Sequence, residues 1–212
     1  MNHSHVGEKA PDGESDAASR EGGGLSTALQ RSCSMALPPI IYRAAIQLSD
    51  VDLDRYETLQ FTVARHPSET AERLVARLLA YTLFFEPGLE FTGGISAGDE
   101  PDLWTRGADG RVQLWIEVGL PDPDRLLKVS RHAGRVVLLS CGNSRLRWEE
   151  QHLSKLASVS NLTILSIEQG FLNDVVARLE RSICWSVTVT EDTLYLGVAW
   201  ETLETLLSCR SG

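Results

Sequence analysis

The spacing of apolar positions changes several times along the chain, and each spacing predicts an element. Ile40 to Leu48 (IIYRAAIQL) reads as a strand. A turn over Ser49 to Asp54 leads to Tyr56 through Ala64, where Leu59, Phe61 and Val63 alternate with Gln60, Thr62 and Ala64. Alternation of this kind predicts a second strand, and the short turn predicts a hairpin. His66-Pro67-Ser68-Glu69 then starts a helix, with Ser68 as N-cap and Pro67 blocking extension backwards. Ala71, Leu74, Val75, Leu78, Leu79, Thr82 and Phe85 form its buried stripe at helical spacing. Glu69 falls in the first turn, where the helix dipole favours an acid, and Glu72 lies on the edge of the stripe. Pro87-Gly88 ends the helix.

From Arg111 to Val118 the residues alternate again. Val112, Leu114, Ile116 and Val118 share one face; Gln113, Trp115 and Glu117 share the other. Asp109-Gly110 is a hairpin turn signal that ties this strand to the segment carrying Pro101-Asp102. Pro121 to Pro123 turns the chain into a helix from Asp124 to Ala133, with Asp122 as N-cap and Arg125, Lys128 and His132 near one face. Arg135 to Cys141 is a continuous apolar run, the mark of a strand covered on both faces. A helix follows over Arg145 to Ala157, with Leu146, Trp148, His152, Leu153 and Leu156 inward. Leu162 to Ile167 is another buried strand and Phe171 to Leu179 another helix. Ile183 to Thr190 and Thr193 to Val198 form a hairpin, and Glu201 to Leu207 is a short helix or a frayed end. Buried strands alternating with helices in the second half predict right-handed crossovers and parallel pairing. The expected fold is α/β, of mixed α+β character. It has a mixed central sheet flanked by helices, with N-terminal and C-terminal antiparallel hairpins.

Composition adds the domain limits. Residues 1–34 are rich in Gly, Ser, Asp and Glu without periodicity, so they read as a disordered N-terminal extension, with Met35 as a candidate natural start. Residues 35–212 then form a single domain. No apolar run is long enough for a membrane span, and no signal peptide pattern stands at the N-terminus. The four cysteines are far apart, which fits reduced thiols in a cytoplasmic protein.

The net charge of -9 argues against a general polyanion binder. Its distribution is uneven. Glu86 to Asp124 is strongly acidic, whereas Arg125 to Lys155 is basic. An acidic centre beside a basic stretch suits a metal next to a phosphate-bearing ligand, although two solvated faces of unlike sign explain the same pattern.

A carboxylate on a central strand is costly unless solvated, paired or bound to a metal. Asp102 and Glu117 sit on the two arms of one hairpin and are candidate ligands for a hard divalent cation. The structural alternatives are a turn cap for Asp102 and an ion pair with Arg111 or Arg131 for Glu117. Ser68 beside His66 is no triad, since sequence neighbours rarely form one. The histidines and cysteines lack zinc spacing, and Gly93-Gly94 lacks a phosphate-loop pattern. Trp104, Trp115 and Trp148 could stack on bases, but core positions explain them as well.

The order of helix, Pro-Asp hairpin, strand carboxylate and crossover helix resembles the PD-(D/E)XK nuclease-like fold. The strings RHPSETAERLVARLLAY (Arg65 to Tyr81), GDEPDLW (Gly98 to Trp104) and LWIEVGLPD (Leu114 to Asp122) are similar to the bacterial YaeQ family. That resemblance covers about residues 35 to 200. It implies a variant of the nuclease fold, with Asp102 and Glu117 as metal ligands, Glu72 as a third carboxylate, and Mg2+ or Mn2+ as the ion. Two residues after the strand Glu the nuclease motif has Lys, and here that position is Gly119. In some nucleases of this fold the Lys comes from the following helix. Lys128 is the replacement the resemblance implies, with Arg125 and Arg131 as rivals. The expected partners are nucleic acid, for a metal-dependent phosphodiesterase, or a protein, for a non-catalytic module that kept the fold.

Overall fold

The computed structural model describes residues 37–93 and 99–211; the expected extension over residues 1–34 and the candidate start at Met35 lie outside the described residues. In chain order the elements are β1 (Ile40–Asp50), β2 (Arg55–Arg65), α1 (Ala71–Leu83), β3 (Glu90–Phe91), β4 (Leu103–Arg106), β5 (Val112–Val118) and α2 (Pro123–Val129). They continue as β6 (Arg135–Ser140), α3 (Arg145–Leu156), β7 (Leu162–Ser166), α4 (Gln169–Ala177), β8 (Ser182–Thr190), β9 (Thr193–Val198), β10 (Glu201–Leu206) and β11 (Ser208–Ser211).

The strands form two mixed sheets, not one central sheet as expected. One has the order β10-β9-β8-β1-β2 and the other β11-β7-β6-β5-β4-β3. Both expected hairpins, β1–β2 and β8–β9, are antiparallel, and β5, β6 and β7 pair in parallel through their crossover helices. The expected single sheet fails because β8 returns to pair in parallel with β1 instead of extending β7. The tail is neither helix nor frayed end: β10 adds to β9, and β11 then crosses to pair with β7 of the other sheet. Thr202 and Thr205 contribute to a β-branched pattern that suits pleated pairing.

Strand alternation separates two apolar cores. Leu114, Ile116 and Val118 of β5, with Val137 and Leu139 of β6, meet α1, α4 and the inner residues of the first sheet. Trp115, Val136 and Leu138 point the other way, against Leu126 of α2 and Trp148 and Leu156 of α3. Helices α1 and α4 therefore fill the space between the sheets, and α2 and α3 cover the far face of the second sheet. This explains why α1 is buried continuously from Leu74 to Ala80 instead of along one stripe. Burial of such a segment from both sides is the dominant stabilising term, at about 25 cal/mol per Å² of apolar surface.

Three local expectations are corrected. The N-cap of α1 is Thr70, whose side chain accepts from the Arg73 N–H at 3.2 Å; the Ser68 hydroxyl instead meets His66 Nδ1 at 2.6 Å. Glu69 thus precedes the cap and is not a first-turn acid; its side chain is buried against Arg77. Leu146 is 65% exposed, because α3 presents Trp148 and Glu149 inward in its place. The cap expected for α2 is present: Asp122 accepts from the Asp124 N–H at 2.8 Å, with Pro123 opening the helix.

Candidate functional site

The Pro-Asp hairpin and the N-terminal half of α1 build a buried charge network. Asp102, 1% exposed, follows Pro101 at the entry to β4. Its N–H donates to the Ile116 carbonyl at 3.0 Å, which fixes the backbone against β5. Its Oδ2 accepts the Val118 N–H at 2.8 Å, and its Oδ1 accepts Arg73 Nη2 at 2.6 Å. Arg77 Nε lies 3.7 Å from the same oxygen and has no hydrogen bond of its own among the described residues. Arg77 Nη1 in turn donates to Glu69 at 3.0 and 3.2 Å. Two acids and two arginines are thus paired within the α1 layer. Arg73 and Arg77 lie one turn apart on α1, so both reach the same strand end.

Glu117, 6% exposed, points to the opposite face of the sheet. Its Oε1 accepts Trp115 Nε1 at 2.9 Å and Arg125 Nε at 2.6 Å. Arg125 comes from α2, stacks over the Trp115 ring at 5.6 Å and donates Nη2 to the Glu100 carbonyl at 2.7 Å. Burial pushes the Asp102 carboxyl above its ordinary value, against the opposing pull of Arg73 and of the Val118 N–H. Burial likewise pushes Glu117 up, and the negative charge of Asp102 adds to that shift. The carboxylates sense each other, yet each is neutralised from a different helix.

The remaining expected site residues are placed as follows. Glu72 is half-buried in the first turn of α1 and makes no ion pair among the described residues. Lys128 is exposed, and its ammonium makes no ion pair there either. With Arg125, Trp115 and His132 it lines a cavity of about 150 Å³. The cation on Glu117 is Arg125, not Arg111, which pairs with Asp109 at 3.5 Å. Among the described residues no three His, Cys, Asp or Glu side chains converge as a metal site would require. Trp148 is buried in the second core, while Trp104 and Trp115 are half-buried and meet edge to face at 6.4 Å.

Sequence reasoning missed Arg73, Arg77, Glu69 and Glu149. Arg77 carried a signal: it interrupts the apolar run LVARLLA, and a charge within a continuously buried helix needs a buried partner. Glu149 of α3 is a further buried acid, accepting Ser140 Oγ at 3.1 Å, Ser166 Oγ at 2.8 Å and Arg145 Nη1 at 3.0 Å. Burial opposes its charge, but these hydrogen bonds prevail and hold its carboxyl below the ordinary value. Burial pushes the Cys141 thiol up to about 11, so it is no nucleophile at neutral pH.

The family model described as YaeQ protein matches residues 35–207. A Salmonella typhi protein described as uncharacterised YaeQ is 38% identical over 176 residues, 82% of this chain and 97% of the relative. Its Escherichia coli (strain K12) counterpart is 36% identical over the same length and coverage. The crystal structure of the YaeQ protein from Xanthomonas axonopodis pv. citri aligns with a TM-score of 0.78 at 31% identity, covering 82% of this chain and 98% of that one. That of the YaeQ protein from Pseudomonas syringae gives 0.76 at 37%, covering 82% and 97%. Matches of this extent, in a family model, in relatives and in solved structures alike, establish that the chain belongs to the YaeQ family.

Proposed function

We propose that the chain is a non-catalytic interaction module on a nuclease-like fold, in which the Asp102 and Glu117 carboxylates are structural. One observation carries this reading: both carboxylates are held by arginines, Arg73 and Arg125, from helices on opposite faces of the sheet. A divalent ion at Asp102 would have to enter beside two guanidinium groups, those of Arg73 and Arg77. Two fixed positive charges in a buried site oppose a third at such distances. Gly119 supplies no ammonium, and its φ of +102° disfavours any side chain there.

A second reading keeps the chemistry: a metal-dependent phosphodiesterase acting on nucleic acid, with Asp102, Glu117 and Glu72 holding Mg2+ or Mn2+ and Lys128 serving the attacking water. It is favoured by the position of Lys128, which lines one cavity with Trp115 and Arg125, the two residues that hold Glu117. Titration with Mg2+ and Mn2+ by calorimetry, followed by cleavage assays on single- and double-stranded DNA and RNA, separates the two. The module reading expects neither binding nor cleavage. Stoichiometric binding that Asp102→Ala abolishes, or metal-dependent cleavage lost in Lys128→Ala, would overturn it.

A further inference from the structure

We infer that β2 is a self-association edge: two copies of the chain pair antiparallel through β2 about a two-fold axis at Phe61, joining their first sheets into one. The inference is independent of whether the hairpin carboxylates bind metal.

Strand β2 ends its sheet, and its outer main-chain edge has no strand partner among the described residues. It is 11 residues long and pairs with β1 in unbroken register from Ile40–Arg65 to Asp50–Arg55. The other sheet ends are short: 6 residues in β10, 4 in β11 and 2 in β3. Natural edges are protected by short length, proline, bulges or inward-pointing charges, because free N–H and C=O groups recruit another strand. β2 has no proline and no bulge; of the charges on its inner face Arg55 is held by Asp50, whereas Glu57 and Arg65 have no ion-pair partner among the described residues.

Its residue pattern is self-complementary in one register. Opposed residues in an antiparallel pair share a face, so the core faces of two copies stay continuous only when odd positions oppose odd positions. An axis at Phe61 sets Phe61 against Phe61, Leu59 against Val63, and Glu57 against Arg65, twice. On the outer face it sets Gln60 against Thr62 and Thr58 against Ala64. An axis at Gln60 would oppose Arg55 with Arg65, which like charges disfavour. The charges that the Phe61 axis joins are unspent within the chain. Glu57 is exposed and makes no ion pair among the described residues. Arg65 donates Nε to the Glu69 carbonyl at 3.0 Å and has no carboxylate partner there. Phe61 already meets Tyr81 at 4.3 Å and Phe91 at 5.5 Å between ring centroids, both tilted, so pairing extends an existing aromatic cluster across the axis.

The test is sedimentation velocity of the full chain over a concentration series. The wild type should dimerise reversibly. Glu57→Arg and Arg65→Glu should each weaken the dimer about tenfold by opposing like charges in both symmetric pairs. An equimolar mixture of the two variants should recover wild-type affinity as a heterodimer, because both symmetric pairs then join a positive residue of one variant to a negative residue of the other. Recovery on mixing is an effect that a purely intramolecular role for either residue would not produce, and unchanged circular dichroism of each variant confirms folding. A monomer at every concentration would overturn the inference. So would a dimer indifferent to Glu57→Arg, or variants that fail to recover on mixing.

Discussion

Arg73 binds Asp102 and Val118 with one guanidinium: Nη2 donates to Asp102 Oδ1 at 2.6 Å and Nη1 to the Val118 carbonyl at 3.0 Å. Helix α1 is thereby fastened to both arms of the Pro-Asp hairpin. Arg73 Nη1 also lies 3.7 Å from where a Cβ on Gly119 would stand. The positive group in this corner therefore comes from α1, since Gly119 has no side chain. A guanidinium fork grips a carboxylate and a carbonyl together, where a lysine would supply a point charge.

The first prediction concerns this link. Asp102→Ala leaves Arg73 without its carboxylate beside the paired Arg77 and Glu69, and leaves the Val118 N–H without its acceptor. Removing one member of a buried pair costs about 3–5 kcal/mol. Urea denaturation should show that loss, and Asp102→Asn should recover part of it by keeping an acceptor for Val118. A cost within about 0.5 kcal/mol, the range of ordinary surface changes, would remove the structural role argued for Asp102.

The second prediction is a pH dependence at Glu149. Its folded carboxyl lies below the ordinary 4.5, so it binds protons less readily than in the unfolded chain. Its contribution to stability is complete above that ordinary value and is lost as the pH falls through the folded one. Glu149→Gln should cost about 1–3 kcal/mol at pH 7, and the gap to wild type should narrow below about pH 4.5. Melting curves from pH 3 to 8 check this. A gap that stays constant across the range would show that the charge contributes nothing.

How much of this was legible follows from which signals are local. The strands of both hairpins, the Asp122 cap and the buried runs of β6 and β7 are written in short patterns, and the structure reproduces them. The pairing of β8 with β1 is not, because it joins Arg43 to Ser182 across most of the chain and no local period encodes it. The tail misled because Glu201 to Leu207 lacks a clean alternation, and its strand character comes from the β9 edge it joins. At the site, Asp102 and Glu117 were visible as out-of-place carboxylates. Their partners were less so, since Arg73 looks like a surface residue of an amphipathic helix until a second sheet covers that helix.

The third prediction restores the motif. Gly119→Lys places a side chain at φ +102°, a backbone region that costs non-glycine residues about 1–3 kcal/mol. The new side chain would also start 3.7 Å from Arg73 Nη1. The variant should melt at a lower temperature and gain no Mg2+- or Mn2+-dependent cleavage. Cleavage gained by this single change would mean that the site is complete apart from its lysine.

The last prediction sets Arg125 against Lys128. Arg125 holds the Glu117 carboxylate at 2.6 Å, covers Trp115 and bonds the Glu100 carbonyl. Its removal leaves a largely buried carboxylate with, among the described residues, only the Trp115 N–H as donor, so Arg125→Ala should cost about 2–3 kcal/mol and alter the near-ultraviolet signal of Trp115. Lys128 is exposed and makes no ion pair among the described residues. Lys128→Ala should stay within about 0.5 kcal/mol of wild type. The same pair separates the two functional readings. If Glu117 serves a metal, Arg125 competes with the ion, and Arg125→Ala should bind Mn2+ more tightly than wild type. If Glu117 is structural, the freed carboxylate takes up a proton more readily, because burial already raises its carboxyl and the arginine that opposed the shift is gone. Calorimetry of Arg125→Ala with Mn2+ reads the outcome directly, and saturable binding there would favour the metal site over the module.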